Sequence, residues 1–541
     1  MKKLLCVLLA MVMMFALFAC SKTPSDNQNN TLANETDDSP GQEDFLTAPP
    51  KVTVGVSGTL GRFLAGLAPS ESLTGCDAVF DTVFRWDPYE KKVISNILES
   101  WEWEDDTTFI MHMRDDVYFS NGENATAEDL VFSYLSHIER GSNYVNPANL
   151  IVDECYARDT YTAQFKLETP YAAFPHLRVY LIDKSWSRGL ADGWDSEEWY
   201  RPVGSGPYRV EEWVNDSHML LKSRGDDYWY KDEGPIVIDE ILIKCYPDTS
   251  TLYMALETGE IDLAAAVDSA SYGRFLDVGG DGFDITTSVT GAIQYFCFGF
   301  RTTDKWEDIR VREAIALGVK WEDIGKAAYG PFYNQAKSIA SVMCPDYIEV
   351  GTYEYNPERA KQLLAEAGYG PDNPLKISTT SMQGPFYENS FEVFEFYASQ
   401  LGIEATCEFV DVSTAIAAWI SPTGCDYNFW SMYGGAPGGL LTYTLGWIDD
   451  ETGVFFTHMT DPHFLKLYKT IKSSTDANER SQATKELQQY AYDGFWRIPI
   501  SEETVAFGWR TDKLAREQVD RIAVAPNHLH ISRLALESFW K

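Results

Sequence analysis

The run from Phe80 to Ile138 constrains the fold of this chain more than any other stretch. Phe109, Met111 and Met113 alternate with Ile110, His112 and Arg114, the period-2 pattern of a strand with one apolar face. Asp105 and Asp106 before it, and Ser120, Asn121 and Gly122 after it, are turn chemistry, because Asn and Gly tolerate left-handed backbone angles. Thr126 is placed to cap a helix, with Asp129 at the third position approximating a capping box. Leu130, Tyr134 and Ile138 then share one stripe of that helix. The local reading is a helix, then a hairpin, then a second, capped helix.

The order of these pieces says more than their periods. An Asp87-Pro88 step is followed by the segments ESWEWEDDTTFIMHMRDDVYFSNGE and ATAEDLVFSYLSHI, and this succession resembles the family 5 extracellular solute-binding proteins, which serve oligopeptide, dipeptide and nickel ABC importers. A second block, VGSGPYRV from Val203, is similar to the family's V-G-T-G-P-Y, and is followed by Glu212-Trp213 and by Tyr228-Trp229. Arg224 stands there in place of the usual Asn. A third is NPERAKQLLAEAGY from Asn356, a helix by its cap and first-turn proline, ended by Gly368. The resemblance runs from about Pro50 to the C-terminus. It implies an α/β fold of two lobes joined by a hinge, the type II periplasmic-binding-protein-like architecture with an extra subdomain.

The N-terminus agrees with an exported protein. A basic start at Lys2 and Lys3 precedes an almost wholly apolar stretch from Leu4 to Phe18, short for a membrane span and right for a secretory signal. It leads into LFAC, which looks like a bacterial lipobox, so cleavage after residue 19 and acylation of Cys20 are expected. Phe18 is bulkier than the residue usual at its place. Residues 20–49 then read as the lipidated Cys and a tether, since Ser21 to Gly41 has no aromatic residue and cannot offset its ordering entropy. The expected location is the outer face of the bacterial cytoplasmic membrane. The formal net charge of −37 becomes −39 when the two signal lysines leave, and such a chain repels nucleic acid and anionic lipid surfaces.

Beyond the tether, the organisation expected is lobe 1 over residues 50–288, with a subdomain at about 91–200, lobe 2 over 289–503, and a return to lobe 1 over 504–541. Lys51 to Val56 alternates as a first strand, and Ser57 to Arg62 follows as a Gly-rich loop lacking the G-K-[ST] of a phosphate loop. Gly204, Gly206 and Pro207 read as a sharp reversal between domains. Ile236 to Lys244 reads as a strand, and a helix after Asp248 ends at Gly259. Gln294 to Phe300 reads as a short apolar strand opening lobe 2, with Arg310 and Arg312 on a solvated or salt-bridged helix face. Two strands, Leu375 to Ser381 and Glu404 to Val410, flank a helix from Ser390 to Leu401 as a βαβ unit. The runs Arg497 to Ile500 and Thr504 to Trp509 lead back to lobe 1.

No G-x-S-x-G elbow, H-E-x-x-H or Walker A motif is present, and no cofactor is expected. A secreted polymer hydrolase stays open as the alternative from another class, since it needs only a spaced acid pair and aromatic platforms. Of nine cysteines, Cys6 leaves with the signal and Cys20 is acylated, and the other seven form no C-x-x-C pair. On a strand, His528 and His530 would share a face and could ligate one metal, but they read as a structural pair in the final strand, and no metal site is expected.

A binding role needs a cleft lined by aromatic rings and backbone amides. Trp430, Met432, Tyr433, Gly434 and Gly435 are the richest candidates, followed by Thr59, Leu60, Met382, Tyr387 and Trp447. By the resemblance, peptide binders carry an aspartate just after this aromatic strand to pair with the ligand's amine. Here Gly434, Gly435, Ala436 and Pro437 offer no acid, and Asp449 or Asp450 is the candidate substitute. The expected role is a monomeric receptor passing an oligopeptide to an ABC permease, with an oligosaccharide or a metal complex as the other ligands.

Overall fold

The computed structural model describes residues 49–58, 60, 75–87, 92–140, 150–232, 234–300, 304–421, 425–433, 459 and 461–522. The signal, Cys20, the tether up to residue 48, Thr59, Gly434, Gly435, Trp447, Asp449, Asp450, His528 and His530 lie outside the described residues.

Strand β1 (Lys51–Ser57) buries Val52, Val54 and Val56 on alternate positions and starts the main sheet. Where a helix is expected after Phe80, the chain instead makes a small hairpin, β2 (Arg85–Asp87) against β3 (Lys92–Ile94). Tertiary pairing overrides the local pattern here: Val83 N donates to Val179 O and Leu181 N to Asp81 O, which holds the segment extended. The expected hairpin follows as β4 (Leu98–Asp105) and β5 (Thr108–Met113), and β6 (Tyr156–Ala157) and β7 (Thr162–Lys166) complete a four-stranded sheet in the order β4-β5-β7-β6. The capped helix forms over Ala127–Glu139, with the Thr126 N–H and hydroxyl both donating to Asp129 Oδ2 at 2.8 Å. After Pro170 the chain makes a single 3-10 turn at Phe174–His176.

The chain returns to the main sheet through β8 (Tyr208–Val214), β9 (His218–Ser223), β10 (Glu240–Tyr246) and β11 (Leu263–Val267). β10 starts four residues later than its apolar run, at Glu240. Asp248 caps the following helix by accepting from Thr251 N at 2.7 Å, and β10 and β11 both run parallel to β1. Then comes β12 (Phe283–Phe298), a 16-residue strand where a short one is expected. After it, β13 (Asn334–Gln335) and the parallel pair β14 (Lys376–Met382) and β15 (Glu404–Val410) precede β16 (Tyr427–Tyr433). The helix joining β14 to β15 begins at Pro385, earlier than expected. The long β17 (Arg497–Arg510) closes the sheet, whose order is β16-β12-β17-β11-β1-β10-β9-β8 with β13 also on β17.

Two groups of apolar clusters hang on this sheet. One gathers residues from Val52 to Ile285 with Ala506, Phe507 and Trp509, and the other gathers residues from Ile293 to Ile500. β12 and β17 each contribute to both groups. Away from those strands the two groups also touch, where Ala172 N donates to Lys472 O at 2.8 Å and Tyr272 stacks on Phe332 at 5.0 Å.

Buried polar locks stiffen each group. Gly204 and Gly206 are required for close approach and not for reversal, since a Cβ on Gly204 would lie 2.0 Å from Val79 O. The buried Arg224 guanidinium donates to five main-chain carbonyls, those of Tyr118, Phe119, Ser205, Gly206 and Asp227. Beside it, burial raises the Asp81 carboxyl, opposed by Ser205, Trp229 and Tyr228 and by the Arg224 charge. Arg312, expected on a solvated face, is 3% exposed and lies over the Trp496 ring at 3.9 Å. Arg310 does stay on the surface, paired with Asp308.

The Arg224→Lys variant keeps the charge but loses the planar fork, leaving several buried carbonyls without donors. It should lose roughly 3 kcal/mol of unfolding free energy. A urea melt within about 0.5 kcal/mol of the parent, the range of an ordinary surface change, would show that the lock is dispensable.

Candidate functional site

β12 and β17 pair from Phe283↔Arg510 to Val289↔Thr504, break, and resume at Ile293↔Glu502. Three residues of β12, Thr290, Gly291 and Ala292, therefore face the single residue Glu503. Gly291 takes φ 82°, the left-handed region that a bulge of this kind needs and glycine supplies without a Cβ clash. β16 ends at the same level, with Met432 opposite Ile293 and Tyr433 opposite Ala292.

Two adjacent acids sit at this break, and strand alternation sends them to opposite faces. Glu502 is 2% exposed, and its carboxylate accepts from the Ser341 hydroxyl at 2.8 Å and from Val342 N at 3.0 Å. Burial nevertheless pushes its carboxyl up to about 7. Glu503 is half-buried and accepts one hydrogen bond among the described residues, from Thr290 Oγ1 at 2.8 Å. Burial raises it too, and the Thr290 bond only partly opposes this. Thr290 is itself held, because its Oγ1 accepts from Ala292 N at 3.1 Å.

On the Glu503 face stands Gln294, fully buried, whose Nε2 donates to Ser390 Oγ at 2.9 Å. Ser390 spends its own proton on Phe386 O, so the amide nitrogen must face Ser390 and the amide oxygen must point elsewhere. That Gln294 Oε1 has no partner among the described residues. Tyr387 lies one turn before Ser390 on the Pro385–Gln400 helix, half-buried. Burial raises its phenol, and the nearby Glu503 charge adds to the shift.

By register, the structure therefore brings Tyr433 and Tyr387 to the break in pairing, while Met432 ends β16 at the same level on the face that Trp430 occupies. It does not bring the other described candidates there. Trp430 points to the far face of β16 and packs on Trp419, ring centroids 4.2 Å apart. Met382 ends β14 opposite Val410 and packs against the same cluster. Leu60 is 4% exposed in the lobe 1 core, where its side chain serves packing. Sequence reasoning passed over Thr290, Gln294, Glu502 and Glu503. The available signal was the pair of acids in the strand-like run between Ile500 and Thr504.

A cavity of about 860 Å³ lies elsewhere, between the β4–β5 turn at Asp106, Pro170, and the Pro462–Ser473 helix with Lys466 and Lys469. It includes none of the candidate residues.

The comparisons with known proteins fit this architecture. The sequence profile described as "Bacterial extracellular solute-binding proteins, family 5 Middle" matches residues 92–455. A relative, di/tripeptide-binding protein 1 of Pseudomonas aeruginosa (strain UCBPP-PA14), is 25% identical over 490 residues, covering 82% of this chain and 87% of that protein. Among solved structures, a putative peptide-binding protein AppA from Clostridium difficile superposes with a TM-score of 0.72 at 17% identity, over 91% of this chain and 99% of that one. A nickel ABC transporter structure from Bacillus halodurans gives a TM-score of 0.72 at 20% identity, over 87% and 97%. The fold is thus the two-lobed periplasmic-binding-protein type.

The Glu502 environment makes stability depend on pH in a stated direction. The folded protein holds this proton up to about pH 7, whereas the unfolded glutamate releases it near 4.5. Between those values the folded state binds more protons, so stability falls as pH rises and levels off above about 7, by at most about 3 kcal/mol. Glu502→Gln removes the titrating group. Relative to the parent, it should gain stability progressively from pH 4.5 to 7.5 in urea melts. A parent-to-variant difference that stays constant with pH would refute the assignment.

Proposed function

Because the chain belongs to the bacterial extracellular solute-binding proteins of family 5, we propose that it captures a peptide between its two lobes and hands it to an ABC permease. The observation that carries this reading is the pair of separate cores joined through β12 and β17, whose pairing is interrupted at Thr290 to Ala292. Two rigid bodies on such a neck close by hinge bending, which buries a solute and presents a new surface to the permease. No bond is made or broken in this cycle.

The lobe limits we propose are residues 50–288 and 289–503, with 504–541 returning to lobe 1 and about 91–200 as its subdomain. The peptide class is supported by the relatives named for di- and tripeptides and for oligopeptides. Met432 and Tyr433 on β16, Tyr387, and the glycines that follow β16 in sequence form the proposed contact surface. Attachment through an acylated Cys20, with the tether reaching to residue 49, keeps the receptor beside its permease, and it acts as a monomer. Among the described residues no helix is long and apolar enough to cross a membrane.

A thermal-shift screen of the chain from Pro50 onward against peptides, oligosaccharides and Ni²⁺ tests the reading. A peptide at 100 times its dissociation constant should add about 2.7 kcal/mol of stability, a visible rise in melting temperature. Stabilisation by sugars or Ni²⁺ alone would retire the peptide assignment and keep the receptor role.

A further inference from the structure

Glu503 is a carboxylate in the wrong surroundings for a purely structural acid. It stands on β17 where the pairing is broken, with one hydroxyl donor and, among the described residues, no ion pair. Its neighbour Glu502 has two donors and a fully enclosed site. Removing a charged group from water without pairing it is costly, so a persistent acid of this kind is stabilised when a cation is brought to it.

The second observation is Gln294. Its amide is locked by Ser390 so that Oε1 is left over, buried and, among the described residues, without a partner. Gln294 faces Ser501 across the ladder, which puts Glu503 diagonally across on the same face. Tyr387 feels the Glu503 charge and adds a phenol oxygen from the Pro385–Gln400 helix. The break thus carries a carboxylate with a buried amide oxygen on the same face, and the Tyr387 phenol stands one turn from Ser390 on the helix that fixes that amide.

We propose that Glu503 receives the ammonium group of the bound solute, with Gln294 Oε1 and the Tyr387 hydroxyl completing its acceptor set. This rests on the solute-receptor reading above and names the chemistry of its ligand. An ammonium carries three donors and no acceptor, which this set matches. A sugar hydroxyl would leave the carboxylate charge uncompensated, and an anionic group would be repelled. A bare metal ion finds no group of three His, Cys, Asp or Glu among the described residues.

The test is calorimetry on the purified chain with trialanine, glucosamine and cadaverine, each beside its N-acetylated form. At least one free amine should bind the parent, with its acetylated form about 30-fold weaker or more. Glu503→Gln, which keeps the shape and the Thr290 hydrogen bond, should weaken that amine by a similar factor, and Glu503→Asp should retain part of the affinity. A melting temperature for Glu503→Gln at or above the parent's shows that the variant is folded. Unchanged amine binding in folded Glu503→Gln, or equal binding of amine and acetylated forms, overturns the proposal and leaves the receptor reading intact. Glu503-dependent binding of glucosamine or cadaverine with trialanine silent retires the peptide class and upholds Glu503. Silence of every amine with the parent overturns both.

Discussion

The structure depends on how two adjacent carboxylates are carried out of water where the chain passes between cores. β17 must alternate, so Glu502 and Glu503 cannot share one face or one set of donors. Glu502 is answered from lobe 2 by the Ser341 hydroxyl and the Val342 N–H. Glu503 is answered by Thr290, and only because the bulge at Gly291 sets three residues of β12 against one of β17. The break in pairing and the incomplete solvation of Glu503 are thus one feature seen from two sides. The same break is where we propose that the sheet bends and that the ammonium of a solute meets Glu503.

Elsewhere the polar groups do the opposite. Arg224 closes five carbonyls in lobe 1 and sits beside a buried Asp81 that itself collects Ser205, Tyr228 and Trp229. Arg312 caps carbonyls of Trp306, Glu307 and Gly494 in lobe 2 and stacks on Trp496. Such satisfied networks are expensive to distort, because each displaced donor leaves a buried acceptor behind. In the closure proposed above, they would keep each body stiff and leave the bending to the neck. The proposed closure needs that contrast more than it needs any single ligand contact.

Local pattern was legible wherever a residue acts on its near neighbours. The alternation of Phe109, Met111 and Met113, the Thr126–Asp129 cap and the helix after Asp248 all form as the sequence predicts. The pattern failed where pairing partners lie far away in the chain. The segment after Phe80 became extended because Val179 and Leu181 offered it hydrogen bonds, and β12 doubled in length because β17 runs beside it throughout. Arg312 reads as surface from helix periodicity, and the Gly494 carbonyl and Trp496 ring that bury it arrive from well over a hundred residues downstream.

For the site, the sequence by itself determined the family, the aromatic strand ending at Tyr433, and Tyr387 as a candidate, since motifs and composition are local properties of the chain. Tertiary structure decided that Trp430 faces Trp419, that Leu60 packs inward, that Thr290 bonds Glu503, and that Gln294 stands on the Glu503 face, tied to the helix that carries Tyr387. That meeting is set by the register of two strands more than 200 residues apart, and register is a property of the assembled sheet.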